Sequence, residues 1–281
     1  MREPTMVTLN VVTALMDVVA IAIALAFTHQ WGLRIPAWLL LPPMWVATGL
    51  LSRFVVAVPV VMVVQAFAQE STRAPVGGPV HPWVYLVVYA GFTGMGIGLV
   101  LAFGLYARAC WATVFRYQTN EASFEGARTV LVPLANVAAL MAAASSALYL
   151  AWAFGATVGL RADLVAGRTF SSYLLNAIDA VMGLAAAAGI LIMVHRPGRL
   201  IGNWVVLSLT WVGSGSLFAW GLWHLINVLG DTALVRDRAH GMALVNLMSL
   251  VRLIAGLVIG LVSIVLMGAR TQDRRESTQA L

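Results

Sequence analysis

Residues 9–51 read LNVVTALMDVVAIAIALAFTHQWGLRIPAWLLLPPMWVATGLL, and residues 175–217 read LNAIDAVMGLAAAAGILIMVHRPGRLIGNWVVLSLTWVGSGSL. A shift of 166 aligns the two without a gap at sixteen identities in forty-three positions, where matching apolar composition alone would give about four. The identities include Leu9/Leu175, Asn10/Asn176, Met16/Met182, His29/His195, Gly32/Gly198, Trp38/Trp204, Trp45/Trp211 and Gly49/Gly215. Rare residue types carry the match. A shift of 162 then aligns Gly94, Ile97, Gly98, Leu99, Val100, Ala107 and Arg108 with Gly256, Ile259, Gly260, Leu261, Val262, Ala269 and Arg270.

Both stretches are too apolar for water. The chain is 61% hydrophobic and 10% charged, with a mean hydropathy of +0.89, whereas a soluble domain carries roughly 25% charged residues. Apolar runs of about 20 residues, long enough to cross the hydrocarbon core, recur along the chain. Within lipid each run must satisfy its own backbone, so each is expected to be a helix. The runs fall near 8–27, 37–63, 83–107, 129–153, 173–194, 203–229 and 242–268. The expected fold is therefore an all-α integral membrane protein of seven transmembrane helices.

Pro42, Pro43, Arg53 and Pro59 interrupt the second run and could split it. Its repeat partner, 203–229, is uninterrupted, so it is read as one span. Spans one to three match spans five to seven, with four crossings between the start of one copy and the start of the next. The copies then enter from the same side, as parallel repeats about an axis along the membrane normal. Residues 1–281 form one transmembrane domain: repeat A at 8–108, a linker helix at 129–153 and repeat B at 173–270. Such a 3+1+3 plan places a ligand site where the triplets face each other.

No small-residue cleavage site clearly follows the first apolar run, so span one is read as a retained helix. The seventeen basic residues are all arginine; without a lysine there is no Schiff base, which excludes a retinal protein. They sit largely in short loops, which points to membrane topology and not to nucleic acid. Nine loop arginines (34, 108, 116, 128, 196, 199, 270, 274 and 275) lie on the side of the C-terminus and six (2, 73, 161, 168, 236 and 238) opposite. This asymmetry predicts a multi-pass cell-membrane protein with its N-terminus outside and its C-terminus cytoplasmic. The single cysteine, Cys110, forms no internal disulfide and no cysteine cluster. Glu121, Glu125 and the tail from Arg270 to Leu281 read as solvated surface.

An ionised side chain at mid-membrane costs on the order of 3 kcal/mol, so each one needs a partner or a purpose. Asp17 lies in span one. Asp179 lies in span five at the place equivalent to Thr13, one helical turn from Asp17's equivalent, Gly183. The two carboxylates are expected on the same face of related helices at nearly the same depth. Arg53 and Arg252 are the matching cations. Either the four form buried ion pairs that fix helix register, or a carboxyl stays protonated in a dry chamber and acts as an acid.

His29 and His195 are repeat partners at helix ends, where interfacial capping is the ordinary role. His224 and His240 make too small a ligand set for a metal, and no pair of histidines faces across spans to hold a haem. No cofactor and no metal are expected. Trp204, Trp211 and Phe218 recur every seven residues, as do Trp38 and Trp45 in the other copy. Trp45 and Trp211 lie at mid-depth, each followed by a small-residue stretch, Ala47-Thr48-Gly49 and Gly213-Ser214-Gly215. That pattern reads as close helix packing or as an aromatic wall able to stabilise a cation.

In size, span number, the carboxylates Asp17 and Asp179, and aromatics such as Trp211 and Trp220, the chain resembles the small seven-helix membrane terpene cyclases. The resemblance implies an enzyme acting on a hydrophobic, isoprenoid-like or lipid substrate. Asp17 or Asp179 would be the general acid, and Trp45, Trp211, Phe218, Trp220, Arg53, Arg252, Asn10 and Asn176 would line the substrate. The parallel plan is also similar to that of the seven-helix sugar transporters, which implies a small-solute or proton-coupled transporter. That family's Pro-Gln pair is absent, since spans one and five contain no proline. An accessory subunit is the third reading.

Overall fold

The computed structural model describes residues 37–67, 122–195, 203–229 and 242–279, together with isolated positions between 11 and 25 and between 87 and 101. Among them lie six helices: α1 (Ala37–Phe67), α2 (Ala122–Ala153), α3 (Ala162–Ala166), α4 (Phe170–His195), α5 (Asn203–Leu229) and α6 (Ala243–Gln279). The described residues contain no strand. Five of these helices are long and apolar enough to cross a membrane, over Leu41–Val64, Thr129–Ala153, Phe170–His195, Trp204–Leu229 and Ala243–Leu266. The described part of the chain is thus all-α, with the length and apolarity that membrane-spanning helices need. Positions such as Val11, Leu15, Val18, Val87 and Ile97, within the expected spans one and three, are helical too.

α1 runs unbroken through Pro42, Pro43 and Pro59. Helices in lipid tolerate proline because neighbouring helices and hydroxyl side chains take up the freed backbone groups. Two helices are longer than their apolar runs. α2 begins at Ala122 and takes in Glu125, and α6 continues to Gln279, through segments read above as solvated surface. The extensions read ASFEGAR and ARTQDRRESTQ, in which Ala, Arg and Glu in the first and Arg and Gln in the second favour helix. The short α3 follows a turn whose Gly155 and Gly159 have φ of 99° and 73°, a backbone region that side chains disfavour. Trp152 Nε1 donates to the Val158 carbonyl at 2.9 Å and Arg168 to that of Ala156 at 2.6 Å, fastening this loop.

α2, α4, α5 and α6 form a ring, each packed on the next, and α1 lies against α5 and touches α4. The core inside the ring is largely small: Ala135, Ala138, Ala142, Ala186, Ala187 and Ala255 are buried with Ile190, Leu217, Ile259 and Val262. Large apolar side chains point the other way. On α6 the exposed stripe is Leu247, Leu250, Ile254, Leu257, Leu261 and Ile264, the inverse of a soluble helix and the face lipid would cover. Because lipid removes the hydrophobic drive between helices, packing depends on small residues that let backbones approach.

Buried hydroxyls follow the same logic. Thr48, Ser145, Ser146, Thr210, Ser249 and Ser263 each donate to a carbonyl three or four residues back at 2.7–2.9 Å. Such back-bonding leaves no polar group bare in an apolar setting.

Candidate functional site: an aspartate shared by two arginines

Two levels, one helical turn apart, build the site. At the first, backbones nearly touch. A Cβ on Gly49 of α1 would overlap the Gly215 carbonyl of α5, and one on Gly215 would stand 2.6 Å from the Trp45 carbonyl. One on Gly183 of α4 would overlap Ser146 Oγ of α2, and one on Gly256 of α6 would come within 2.6 Å of Ser214 and Phe218. At Gly49, Gly215 and Gly256 the atoms in the way are backbone, so only glycine permits those crossings. Because the helices are so close here, the longer side chains of the next turn are forced together.

That next level carries one residue from each of the five long helices: Arg53 (α1), Tyr149 (α2), Asp179 (α4), Trp220 (α5) and Arg252 (α6). The Asp179 carboxylate is divided. Its Oδ2 accepts from Arg53 Nη2 at 2.7 Å and its Oδ1 from Arg252 Nη2 at 3.0 Å. Each guanidinium is also covered by an aromatic face, Arg53 under Trp220 and Arg252 under Tyr149, both 4.4 Å from the ring centre. Charge-assisted bonds and ring quadrupoles act together here, in a setting where neither is diluted by water.

Depth makes the arrangement costly. Asp179, Arg252 and Trp220 each stand nine residues from a helix end (Phe170, Ala243 and Leu229 in turn), about 14 Å at 1.5 Å per residue. Arg53 is at the middle of Leu41–Val64. The cluster is therefore near the centre of the apolar spans, with two cations and one anion among the described residues.

Its donors are not all used. Among the described residues, Arg53 Nε, Arg252 Nε, Trp220 Nε1 and Ser216 Oγ are buried without a hydrogen-bond partner. Ser216 precedes Trp220 by one turn of α5. It is the exception among the buried hydroxyls, since Ser214, two residues earlier, both donates to the Trp211 carbonyl at 3.3 Å and accepts from Trp45. The side chain of Arg53 is 18% exposed and that of Arg252 4%, so Arg53 is the more accessible of the two guanidinium groups.

The aromatic candidates engage in contacts between α1 and α5. Trp45 Nε1 donates to Ser214 Oγ at 3.0 Å, and Trp211 Nε1 donates to Thr48 Oγ1 at 3.1 Å. These two bonds are reciprocal: Trp45 pairs with Trp211 and Thr48 with Ser214 under the 166-residue shift. Phe54 and Trp220, also related by that shift, lie 6.1 Å apart, and Phe218 stacks on Trp45 at 4.8 Å. Trp45, Trp211 and Phe218 hold α1 on α5, and Trp220 joins Tyr149 in the charged cluster. Asn176 is half-buried on α4, one turn before Asp179. Asn10 and Asp17 lie outside the described residues.

Asp179, expected either in an ion pair or as a proton-bearing acid, stands in the paired arrangement with both candidate arginines. Tyr149 and Ser216 are additions that sequence reading missed. The available signal was their polarity within apolar runs, with Ser216 one turn from Trp220. His195 meets Asn136 at 2.8 Å and His224 meets Asn246 at 2.9 Å, and no group of three or more metal-ligating side chains occurs among the described residues. Comparison with family models, curated proteins and solved structures finds no match.

Proposed function

We propose that this protein is a seven-span membrane transporter of parallel 3+1+3 plan, with repeat A at 8–108, a linker helix at 129–153 and repeat B at 173–270. Its N-terminus would lie outside and its C-terminus in the cytoplasm. A small solute binds beside Arg53, Asp179 and Arg252. The repeat plan is supported by the sixteen identities between the copies and by the reciprocal bonds of Trp45 with Ser214 and Trp211 with Thr48. A two-fold related interface produces that reciprocity, since residue i meets j while j's counterpart meets i's.

One observation carries the functional reading: the charges break the symmetry of the frame. The positions equivalent to Arg53, Asp179 and Arg252 are Ala219, Thr13 and Ala90. The duplicated unit thus accommodates neutral residues at all three places, so helix packing alone does not account for charges that each cost on the order of 3 kcal/mol in lipid. Binding near the bilayer midplane between repeats is how a carrier exposes a solute to alternate sides.

The cyclase-like alternative needs a carboxyl that carries a proton. Asp179 gives both oxygens to guanidinium groups, a poor setting for a proton donor, which leaves that role to Asp17. The test is uptake by the purified protein in phosphatidylcholine vesicles, using a panel of labelled anionic, cationic and neutral solutes. Saturable, protein-dependent uptake that Arg53→Gln abolishes supports transport. No protein-dependent flux, together with turnover of a prenylated substrate that Asp179→Asn abolishes, would replace it with the enzyme.

A further inference from the structure

Resting on the reading of the charged cluster as a solute site, the geometry points to the class of solute: an amphipathic monoanion, its carboxylate or phosphate head held by Arg53, Arg252, Trp220 and Ser216, and its apolar tail lying along the outer face of α1. Three observations converge. Among the described residues the cluster has two guanidinium groups and one carboxylate, one negative charge short of neutrality at a depth where an unbalanced cation is strongly disfavoured. Among the described residues, the buried atoms without a partner at the cluster, Arg53 Nε, Arg252 Nε and Trp220 Nε1, and Ser216 Oγ one turn from it are all able to donate, as an anion requires.

The third observation sets the tail. Val56, Val60 and Val63 follow Arg53 at helical spacing, and all three are exposed. An apolar track of about two turns therefore leads away from the accessible guanidinium. A small hydrophilic anion has no use for it. An alkyl or isoprenoid acid does, because its chain covers the track while its head replaces water on Arg53. Asp179 then has a second purpose: it holds the two guanidinium groups at a fixed separation and competes with the incoming head, so that binding remains reversible.

The test is equilibrium binding of labelled decanoate and decyl phosphate to the full chain in a neutral maltoside detergent, with decanol and acetate as competitors. Decanoate or decyl phosphate is expected to saturate one site, and which of the two binds more tightly identifies the head. Decanol, lacking the charge, and acetate, lacking the tail, are expected to compete about tenfold or more weakly, the ratio that one charge-assisted bond supplies. Arg53→Gln abolishes binding, and Arg53→Lys restores part of it, because lysine returns the charge without the planar fork. Ser216→Ala weakens binding several-fold without altering the melting temperature. Asp179→Asn, where it folds, binds decanoate more tightly than the native protein, a gain that a purely structural ion pair would not give.

Decanol competing as well as decanoate would overturn the proposal. So would binding that is indifferent to both Arg53→Gln and Ser216→Ala. If the native chain binds neither probe and Asp17→Asn binds both, the balancing charge is the chain's own and the proposal falls. The two readings fail separately. Decanoate that binds without crossing vesicles keeps the anion site and removes transport, whereas a neutral solute that crosses while decanoate does not bind keeps transport and removes the anion site.

Discussion

Gly49 of α1 and Gly215 of α5, equivalent positions of the two sequence copies, meet backbone to backbone, leaving no room for a side chain on either. Everything at the charged level depends on this crossing, because it brings Arg53 within reach of an aspartate on a third helix. Gly49→Val and Gly215→Val are each expected to cost about 2 kcal/mol or more through overpacking. Gly94→Ala, where a Cβ meets nothing within 4 Å, is expected to match the native protein. Thermal unfolding in detergent separates the three, and a native-like Gly215→Val would refute the contact.

Trp45→Phe and Trp211→Phe each remove one cross-helix donor while leaving a ring to pack. Each is expected to cost about 1 kcal/mol, the net worth of one hydrogen bond, and the two losses to be similar because the bonds are equivalent. Unfolding of the single and double variants measures this. A large loss in one and none in the other would contradict the reciprocity.

The five long helices were legible in the sequence as apolar runs: 203–229 matches Asn203–Leu229, and 37–63 falls within Ala37–Phe67. Hydropathy was sufficient because lipid leaves the backbone no alternative to helix. Arg53, Asp179 and Arg252 were legible for the same reason, since charge in hydrocarbon stands out. What was not legible is that one carboxylate serves both arginines. Periodicity assigns a residue to a face of its own helix but does not name the helix opposite, so the polarity of Tyr149 and Ser216 within apolar runs did not reveal what each would face. Trp45 and Trp211 read by default as helix packing and more sharply as an aromatic pocket, and their bonds to Ser214 and Thr48, which join α1 to α5, could not be read from the sequence.

Asp179→Asn strands two buried cations. Removing one partner of a buried pair costs roughly 3–5 kcal/mol, whereas replacing a whole buried cluster by apolar residues of similar size is often neutral or stabilising. The single variant is therefore expected to melt well below the native protein, and the triple variant Arg53→Met, Asp179→Leu, Arg252→Met to recover most of that loss while binding no anion. A triple variant as unstable as the single one would make the cluster a structural requirement.

Tyr149→Phe keeps the ring over Arg252, and Tyr149→Leu removes it. Losing the cation–π contact in a desolvated setting is expected to cost about 2 kcal/mol, so the leucine variant melts lower than the phenylalanine one. Equal melting temperatures would show that the ring face contributes nothing.

The direct test of the shared carboxylate is infrared spectroscopy of the protein in lipid at neutral pH, comparing native protein with Asp179→Asn in the region of the protonated carboxyl stretch. A carboxylate divided between Arg53 and Arg252 predicts no band there that the substitution removes. A protonated-carboxyl band present in the native protein and absent from Asp179→Asn would mean that Asp179 carries a proton, contradicting the paired cluster and returning the residue to the role of an acid.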